Sequence, residues 1–213
     1  MERHKRIVIK LGTAVLMAKG AGLDPWTFSL VAGQVALLKR SGIEVIIVSS
    51  GAIQAGREAM ARYGRGQGIE KKILAGIGSR HLINEWGKAF SRRRTEIAQI
   101  LVTYANWECV RERESVRSAI SKYLKMGIVP IINENDVVSQ NEIGLMERGI
   151  SENDRLARMV ASLAEADGVL FLTQTDGVLD GDPSDNGSRT IRRIGHGDTF
   201  NSFGNSNVGS GGM

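Results

Sequence analysis

VIIVSSGAIQAGR, residues 45–57, is the stretch whose reading decides the fold. Val45 to Val48 are continuously apolar and mostly β-branched, as a strand buried on both faces of a parallel sheet requires. Ser49, Ser50, Gly51 and Ala52 then offer almost no side-chain bulk before a helical pattern begins. Backbone N–H groups at such a strand-to-helix turn approach an anion closely, and the helix start adds a favourable dipole. The stretch reads as an anion site. An ordinary βα turn fits it equally, so the other glycine turns have to decide.

The composition bounds the answer. With 213 residues the chain is long enough for one domain with a substantial core. It carries 28 basic and 23 acidic side chains, a net charge of +5, compatible with a nucleic-acid surface or with small anionic ligands. Arg92 to Arg94 form the only run of three, and the other basic residues are scattered without interleaved aromatics, so solvated helix faces explain them and no nucleic-acid partner is expected. Cys109 is the sole cysteine, which excludes an internal disulfide and a cysteine metal cluster. No apolar run is long enough for a signal peptide or a membrane span, so a cytoplasmic location is expected.

Along the chain, RIVIKL (6–11) predicts the first strand, ended by Gly12 and Thr13. Lys10 sits inside this apolar run, where a buried charge needs an anion or a partner, and the glycine turn after it favours phosphate contact. Asp24-Pro25 predicts a capped helix start, with Trp26–Arg40 the helix and Leu30, Val31, Gln34, Leu37 and Leu38 its sheet-facing side. A second helical region runs from about Ile69 to Phe90. Its AGIGS segment (75–79) holds two mid-helix glycines that imply a close approach, by a neighbouring helix more than by a ligand. Strands follow at 97–103 and 128–132, with a helix at 115–126 between them. Pro130 predicts an edge strand or an irregular one. Asn133 to Asp136 suits a turn at a strand end, from which Asp136 would orient a substrate amine. Residues 139–150 read as an excursion over the site, and Ser151 to about Ala166 as a helix with acidic residues in its first turn. GVLFLT (168–173) is the last strand, and Asp176-Gly177 and Asp182-Pro183 mark a loop. From Phe200 the composition turns to Gly, Ser and Asn, which suits a flexible tail or another phosphate loop. Neither GxxxxGK[ST] nor a GxGxxG after the first strand occurs, so a nucleotide site here is neither a P-loop nor a Rossmann site.

Seven stretches, IVIKLGTAVL, VIIVSSGAIQAGR, KKILAGIGSRHLI, GIVPIINENDVV, SENDRL, FLTQTDGVLDGDP and VGSGGM, resemble glutamate 5-kinase, of the amino acid kinase fold, in the family's order from Ile7 to Met213. The resemblance implies an α/β fold, a three-layer α/β/α sandwich with a mainly parallel central sheet. It implies transfer of the ATP γ-phosphoryl group to the γ-carboxylate of L-glutamate, the first step of proline synthesis, with ATP and Mg2+ as cofactors. Carried over by motif, Lys10 would be catalytic and, with Gly12 and Thr13, would hold ATP phosphates. Ser50, Gly51, Ala52, Asp136, Asn153 and Asp154 would bind glutamate. Thr173, Gln174, Asp176 and Gly177 would border the nucleotide, with Ser210, Gly211, Gly212 and Met213 opening a further nucleotide loop. No protein metal site is implied. A homo-oligomer and feedback inhibition by proline are further implications.

The chain departs from the family at Ser151, where glycine is usual, at Gln174, where aspartate is usual, and at Leu179, where tyrosine is usual. In the family GGM precedes a second lysine and a last strand-helix portion, so residues 1–213 are expected to form an amino acid kinase domain truncated at its C-terminus, of weak or no activity, without the RNA-binding-like domain some members carry. The competing readings are another amino acid kinase, against which the IINEND stretch argues, and a non-catalytic module that binds glutamate or proline. The chemistry is self-consistent: a carboxylate acceptor with a pKa of about 4.3 is ionised at neutral pH and needs no general base.

Overall fold

A computed structural model of the chain describes residues 5–18, 22–65, 68–139, 152–174, 177–181 and 187–195. The chain runs β1 (Arg6–Leu11), α1 (Thr13–Leu16), β2 (Met17–Ala18), β3 (Gly22–Leu23), α2 (Pro25–Arg40), β4 (Glu44–Ser49) and α3 (Ala52–Ala61). It continues with α4 (Lys71–Ser91), β5 (Ile97–Val102), α5 (Tyr104–Glu108), α6 (Val110–Lys125), β6 (Val129–Glu134), α7 (Glu152–Leu163) and β7 (Gly168–Leu172). Five strands form one parallel sheet in the order β5-β6-β4-β1-β7, and β2 and β3 pair separately as a short antiparallel ladder.

Strand alternation divides the apolar side chains between two cores. Ile9, Leu11, Val45, Ile47, Val129 and Ile131 face Phe28, Val31 and Val35 of α2 and Leu82, Trp86 and Phe90 of α4. Val8, Ile46, Val48, Val102 and Ile132 face Trp107, Ile120, Leu124, Leu156 and Val160 of α5 to α7. The result is the three-layer α/β/α sandwich. Runs apolar on both faces, such as Val45–Val48, are buried because helices cover both sides.

Several boundaries differ from the sequence reading for physical reasons. The sheet-facing side of α2 is Phe28, Val31, Ala32, Val35 and Ala36, while Leu30 and Leu37 are about half exposed. Of the predicted face Val31 is buried and Leu38 packs against the core, while Gln34 is exposed with Leu30 and Leu37, so the buried stripe is turned toward Phe28, Ala32, Val35 and Ala36. The predicted start of that helix holds: Asp24 accepts from the Trp26 N–H at 3.1 Å, with Pro25 at the first position. Helix α6 begins five residues earlier than the pattern indicates, since its first turns are charged and only Ile120 and Leu124 are buried. Strand β6 extends through Asn133 and Glu134, so the turn begins at Asn135.

Pro130 does not place β6 at an edge, for β6 lies between β5 and β4. The irregularity is real and lies on one side. The Val129 N–H donates to the Glu96 carbonyl at 3.0 Å, toward β5, so alternation aims the position of the missing Pro130 N–H toward β4. The ladder to β5 is registered from Ile97↔Val129 to Val102↔Glu134, whereas the ladder to β4 is registered only at Ile47↔Ile131 and Val48↔Ile132.

Of the two AGIGS glycines, Gly78 serves the helix packing that the sequence suggested, whereas a Cβ on Gly76 would meet only the Val137 side chain, at 3.4 Å. A Cβ on Gly78 would stand 1.8 Å from the Ala52 carbonyl oxygen and 2.4 Å from the Gly56 nitrogen, and one on Gly56 would stand 2.0 Å from the Leu74 carbonyl oxygen. Helices α3 and α4 therefore touch main chain to main chain, and this contact fixes where α3 begins. Gly78→Ala is expected to destabilise the fold by about 3 kcal/mol in urea titration, at the upper end of ordinary overpacking. Gly87→Ala, in the same helix with nothing within 4 Å of its Cβ, is expected to stabilise by up to about 1 kcal/mol. Equal midpoints for the two variants would contradict the backbone contact.

Candidate functional site

The parallel sheet brings the ends of β1, β4, β6 and β7 to one edge, where open α/β sheets place ligands. At the end of β1, Lys10 is two residues from Val8, shares its face toward α7 and is 9% exposed. Its Nζ is 2.6 Å from Asp154 Oδ1, in the first turn of α7. The two groups meet as an ion pair off the hydrogen-bond direction. This is the compensation that a lysine inside an apolar strand demands. A carboxylate in a first helical turn is also favoured by the dipole.

Two glycine turns flank this pair. A Cβ on Gly12 would stand 3.7 Å from Lys10 Nζ, so the absent side chain leaves the ammonium approachable from the β1–α1 turn. Gly51 precedes α3 with φ +105°, a left-handed conformation open to glycine at little cost. From it a Cβ would stand 4.0 Å from the Thr13 Cα, which sets the Gly12-Thr13 turn and the Ser50–Ala52 turn side by side. The Ser50 N–H donates to the Leu11 carbonyl at 3.0 Å and locks the two strand ends in register. Among the described residues no side chain caps α3 at Gly51, and the first N–H groups of a helix have no acceptor within the helix itself.

The remaining predicted residues fall around this junction. Ser50 and Ala52 are buried at the start of α3. Asp136 lies half-buried in the turn after β6. Asn153 precedes Asp154 in α7, and its Oδ1 is buried without a hydrogen-bond partner among the described residues, an acceptor that suits a donor such as an ammonium. Thr173 and Gln174 follow β7, and Gln174 Nε2 donates to the Ala14 carbonyl at 2.7 Å, tying the end of β7 to α1. Gly177, at φ +129°, lies farther along, where Leu179 bridges Thr190. The structure thus draws Lys10, Gly12, Thr13, Ser50, Gly51, Ala52, Asp154 and Gln174 toward one edge. Ser151, Asp176, Ser210, Gly211, Gly212, Met213 and the excursion from 140 to 150 lie outside the described residues.

Residues missed by the sequence reading support the turns. Trp86, fully buried in α4, donates its indole N–H to Ser49 Oγ at 3.0 Å, immediately before Ser50. Edge-on packing of Phe28, at 4.6 Å between ring centroids, holds the indole. The apolar run into Ser49 signalled a strand, and nothing in it signalled a tryptophan partner from α4. Ser139 and Glu134 form another such bond. His81 stays out of the site: burial, then the charges of Arg80 and Arg62, push its pKa below the ordinary histidine value, with Glu85 opposing, and all these neighbours belong to the surface of α3 and α4.

The profile of the amino acid kinase family matches residues 5–213, nearly the whole chain. The chain belongs to the amino acid kinase family. Among curated amino acid kinase relatives, the glutamate 5-kinase of Stutzerimonas stutzeri is 37% identical over 183 residues, 85% of this chain and 48% of that protein. That of Bacteroides thetaiotaomicron is 31% identical over 216 residues, 100% of this chain and 59% of the relative. That of Allorhizobium ampelinum is 39% identical over 184 residues, 86% and 46% respectively. The chain spans about half the length of these relatives. No helix among the described residues is long and apolar enough to cross a membrane.

For an amino acid kinase, the Lys10–Asp154 pair has a direct consequence. Asp154→Asn leaves the Lys10 ammonium buried without its counter-charge, and the expected cost is about 3 kcal/mol of stability. Inorganic phosphate is then expected to raise the melting temperature of the variant more than that of the wild type, because it replaces the missing charge. A variant as stable as the wild type and equally indifferent to phosphate would show that the pair does not balance the site.

Proposed function

We propose that the protein to which this chain belongs transfers the γ-phosphoryl group of ATP to the γ-carboxylate of L-glutamate, the first step of proline synthesis, in the cytoplasm. The observation that carries the reading is the junction of Lys10 with the two glycine turns, one for each of two anions that must be brought together. The name glutamate 5-kinase borne by the relatives supports the choice of acceptor.

In this reading the Gly12-Thr13 turn and Lys10 receive the phosphates of ATP, with Thr173, Gln174, Asp176 and Gly177 along the nucleotide. Ser50–Ala52 and the uncapped start of α3 receive the amino acid, Asp136 contacts its ammonium, and Asn153 offers an acceptor beside it. A γ-carboxylate oxygen attacks the γ-phosphorus while the bond to the β,γ-bridging oxygen breaks, giving an acyl phosphate and ADP. No proton has to be removed from the acceptor, so the residues supply charge and placement. Asp154 keeps the ammonium of Lys10 aimed into the junction, and Lys10 follows the charge that develops on the transferring oxygens. Magnesium chemistry in phosphoryl transfer is neutralisation of phosphate charge. Among the described residues no group of three or more His, Cys, Asp or Glu side chains gathers; a magnesium ion brought in with the nucleotide would supply that neutralisation.

Incubation with ATP and a panel of glutamate, aspartate, N-acetylglutamate and uridylate, with hydroxylamine to trap acyl phosphate, is expected to yield a hydroxamate with glutamate alone. Lys10→Ala is expected to lower turnover by about 10² or more while calorimetric glutamate affinity holds. A pure rise in glutamate KM would remove Lys10 from the transfer step. Asp136→Asn is expected to weaken glutamate binding by about tenfold through loss of a charge-assisted contact, and unchanged affinity would take Asp136 out of the site.

A further inference from the structure

Strand β6 ends in Glu134, a carboxylate only 6% exposed, which accepts a hydrogen bond at 2.5 Å from the hydroxyl of Ser139, itself 5% exposed. Between them the chain makes one tight turn. The N–H groups of Val138 and Ser139 both donate to the Asn135 carbonyl, at 3.1 and 2.9 Å, and the Asn135 N–H donates to the Val102 carbonyl at 2.7 Å. The outer side of the turn leans on α4, where a Cβ on Gly76 would stand 3.4 Å from Val137 Cγ2. Asp136 is the second residue of this turn. The two AGIGS glycines therefore differ in role: Gly78 admits α3, and Gly76 seats the turn.

A single turn closed only by backbone bonds is marginal, because fixing several dihedrals yields few hydrogen bonds. A hydroxyl donating to a carboxylate belongs to the strong class of hydrogen bonds. In a buried setting, removing one partner of such a bond carries a further desolvation cost. The bond spans the turn from the last residue of the strand to the residue after Val138, so its strength acts on the conformation of Asn135–Val138.

We propose that the Glu134–Ser139 hydrogen bond is a latch for this turn, and that Glu134 and Ser139 are positioning residues for Asp136. The inference rests on the reading of Asp136 as the contact for the amino acid's ammonium. With the latch closed, the Asp136 carboxylate is in place before the substrate arrives. With it open, the turn spends part of its time in other conformations, and apparent affinity falls by the competent fraction. A drop of that fraction to about one tenth weakens glutamate about tenfold. Affinity for ATP should stay, since Lys10, Gly12 and Thr13 lie on β1, the turn after it and α1.

The test uses the whole chain with Ser139→Ala, Ser139→Thr and Glu134→Gln, read by residue-resolved amide exchange and by calorimetry with L-glutamate and with ATP. Ser139→Ala is expected to speed exchange at Val138 and Ser139 position amides while β1 and β4 stay protected, and to weaken glutamate about tenfold with ATP affinity unchanged. Ser139→Thr, which keeps the hydroxyl, is expected to restore both. Glu134→Gln, which keeps an acceptor without the charge, should fall between wild type and Ser139→Ala. Faster exchange throughout β1 and β4 in Ser139→Ala would make the bond a general prop of the fold and overturn the latch. Faster exchange confined to the turn with unchanged glutamate affinity would overturn the positioning role. If the wild type itself fails to bind glutamate, the reading of the site falls, and the exchange data alone still decide whether the turn is latched.

Discussion

A lysine buried in an interior strand of the sheet, β1 between β4 and β7, is the constraint on which the site is built. Lys10 stands in register with Val48 and Phe171 on its neighbouring strands, and its charge has no place there without an answering one. Asp154 provides it from the first turn of α7. That requirement couples the position of α7 to the end of β1, and it keeps a cation at a point open to ligands through the gap left by Gly12. The pair is worth little as a source of stability compared with apolar residues of the same volume. Its value is an ammonium held close to its counter-charge at the edge where the strands end.

The second constraint is the main-chain contact between α3 and α4. Gly56 and Gly78 let the two helices approach until backbone meets backbone, and this sets the height at which α3 starts relative to the sheet. Its first residues therefore face the Gly12-Thr13 turn. Trp86 works to the same end from inside, since its indole N–H ends on Ser49 and its ring is wedged between Phe28 and Phe90. Two turns that are thirty-odd residues apart in sequence are thus placed side by side before any ligand arrives, which is what preorganised electrostatic sites require.

Much of this was legible in the sequence, and the parts that were not share a cause. The strands at Arg6–Leu11 and Glu44–Ser49 announced themselves through apolar runs because both faces of the sheet are covered there, and Gly168–Leu172 did so although Leu170 on this edge strand is half exposed. Lys10 and Gly51 stood out as exceptions to local rules. Hidden from sequence were the partners that only tertiary structure supplies: Asp154 for Lys10, Trp86 for Ser49, Ser139 for Glu134 and the Ala14 carbonyl for Gln174. Helix α2 misled because its exposed leucines repeat at helical spacing as well as its buried residues do. Pro130 misled because its missing N–H affects one ladder of a strand that has two.

The central claim is that the ammonium of Lys10 is held by Asp154 at the meeting point of two anion-binding turns. A crystal structure with a non-hydrolysable ATP analogue and L-glutamate tests it most directly. The account predicts terminal phosphate oxygens within hydrogen-bond reach of Lys10 Nζ and the Gly12-Thr13 turn, with glutamate against Ser50–Ala52. A nucleotide whose phosphates lie away from Lys10, with the Lys10–Asp154 pair undisturbed and the Gly51 turn empty, would contradict it.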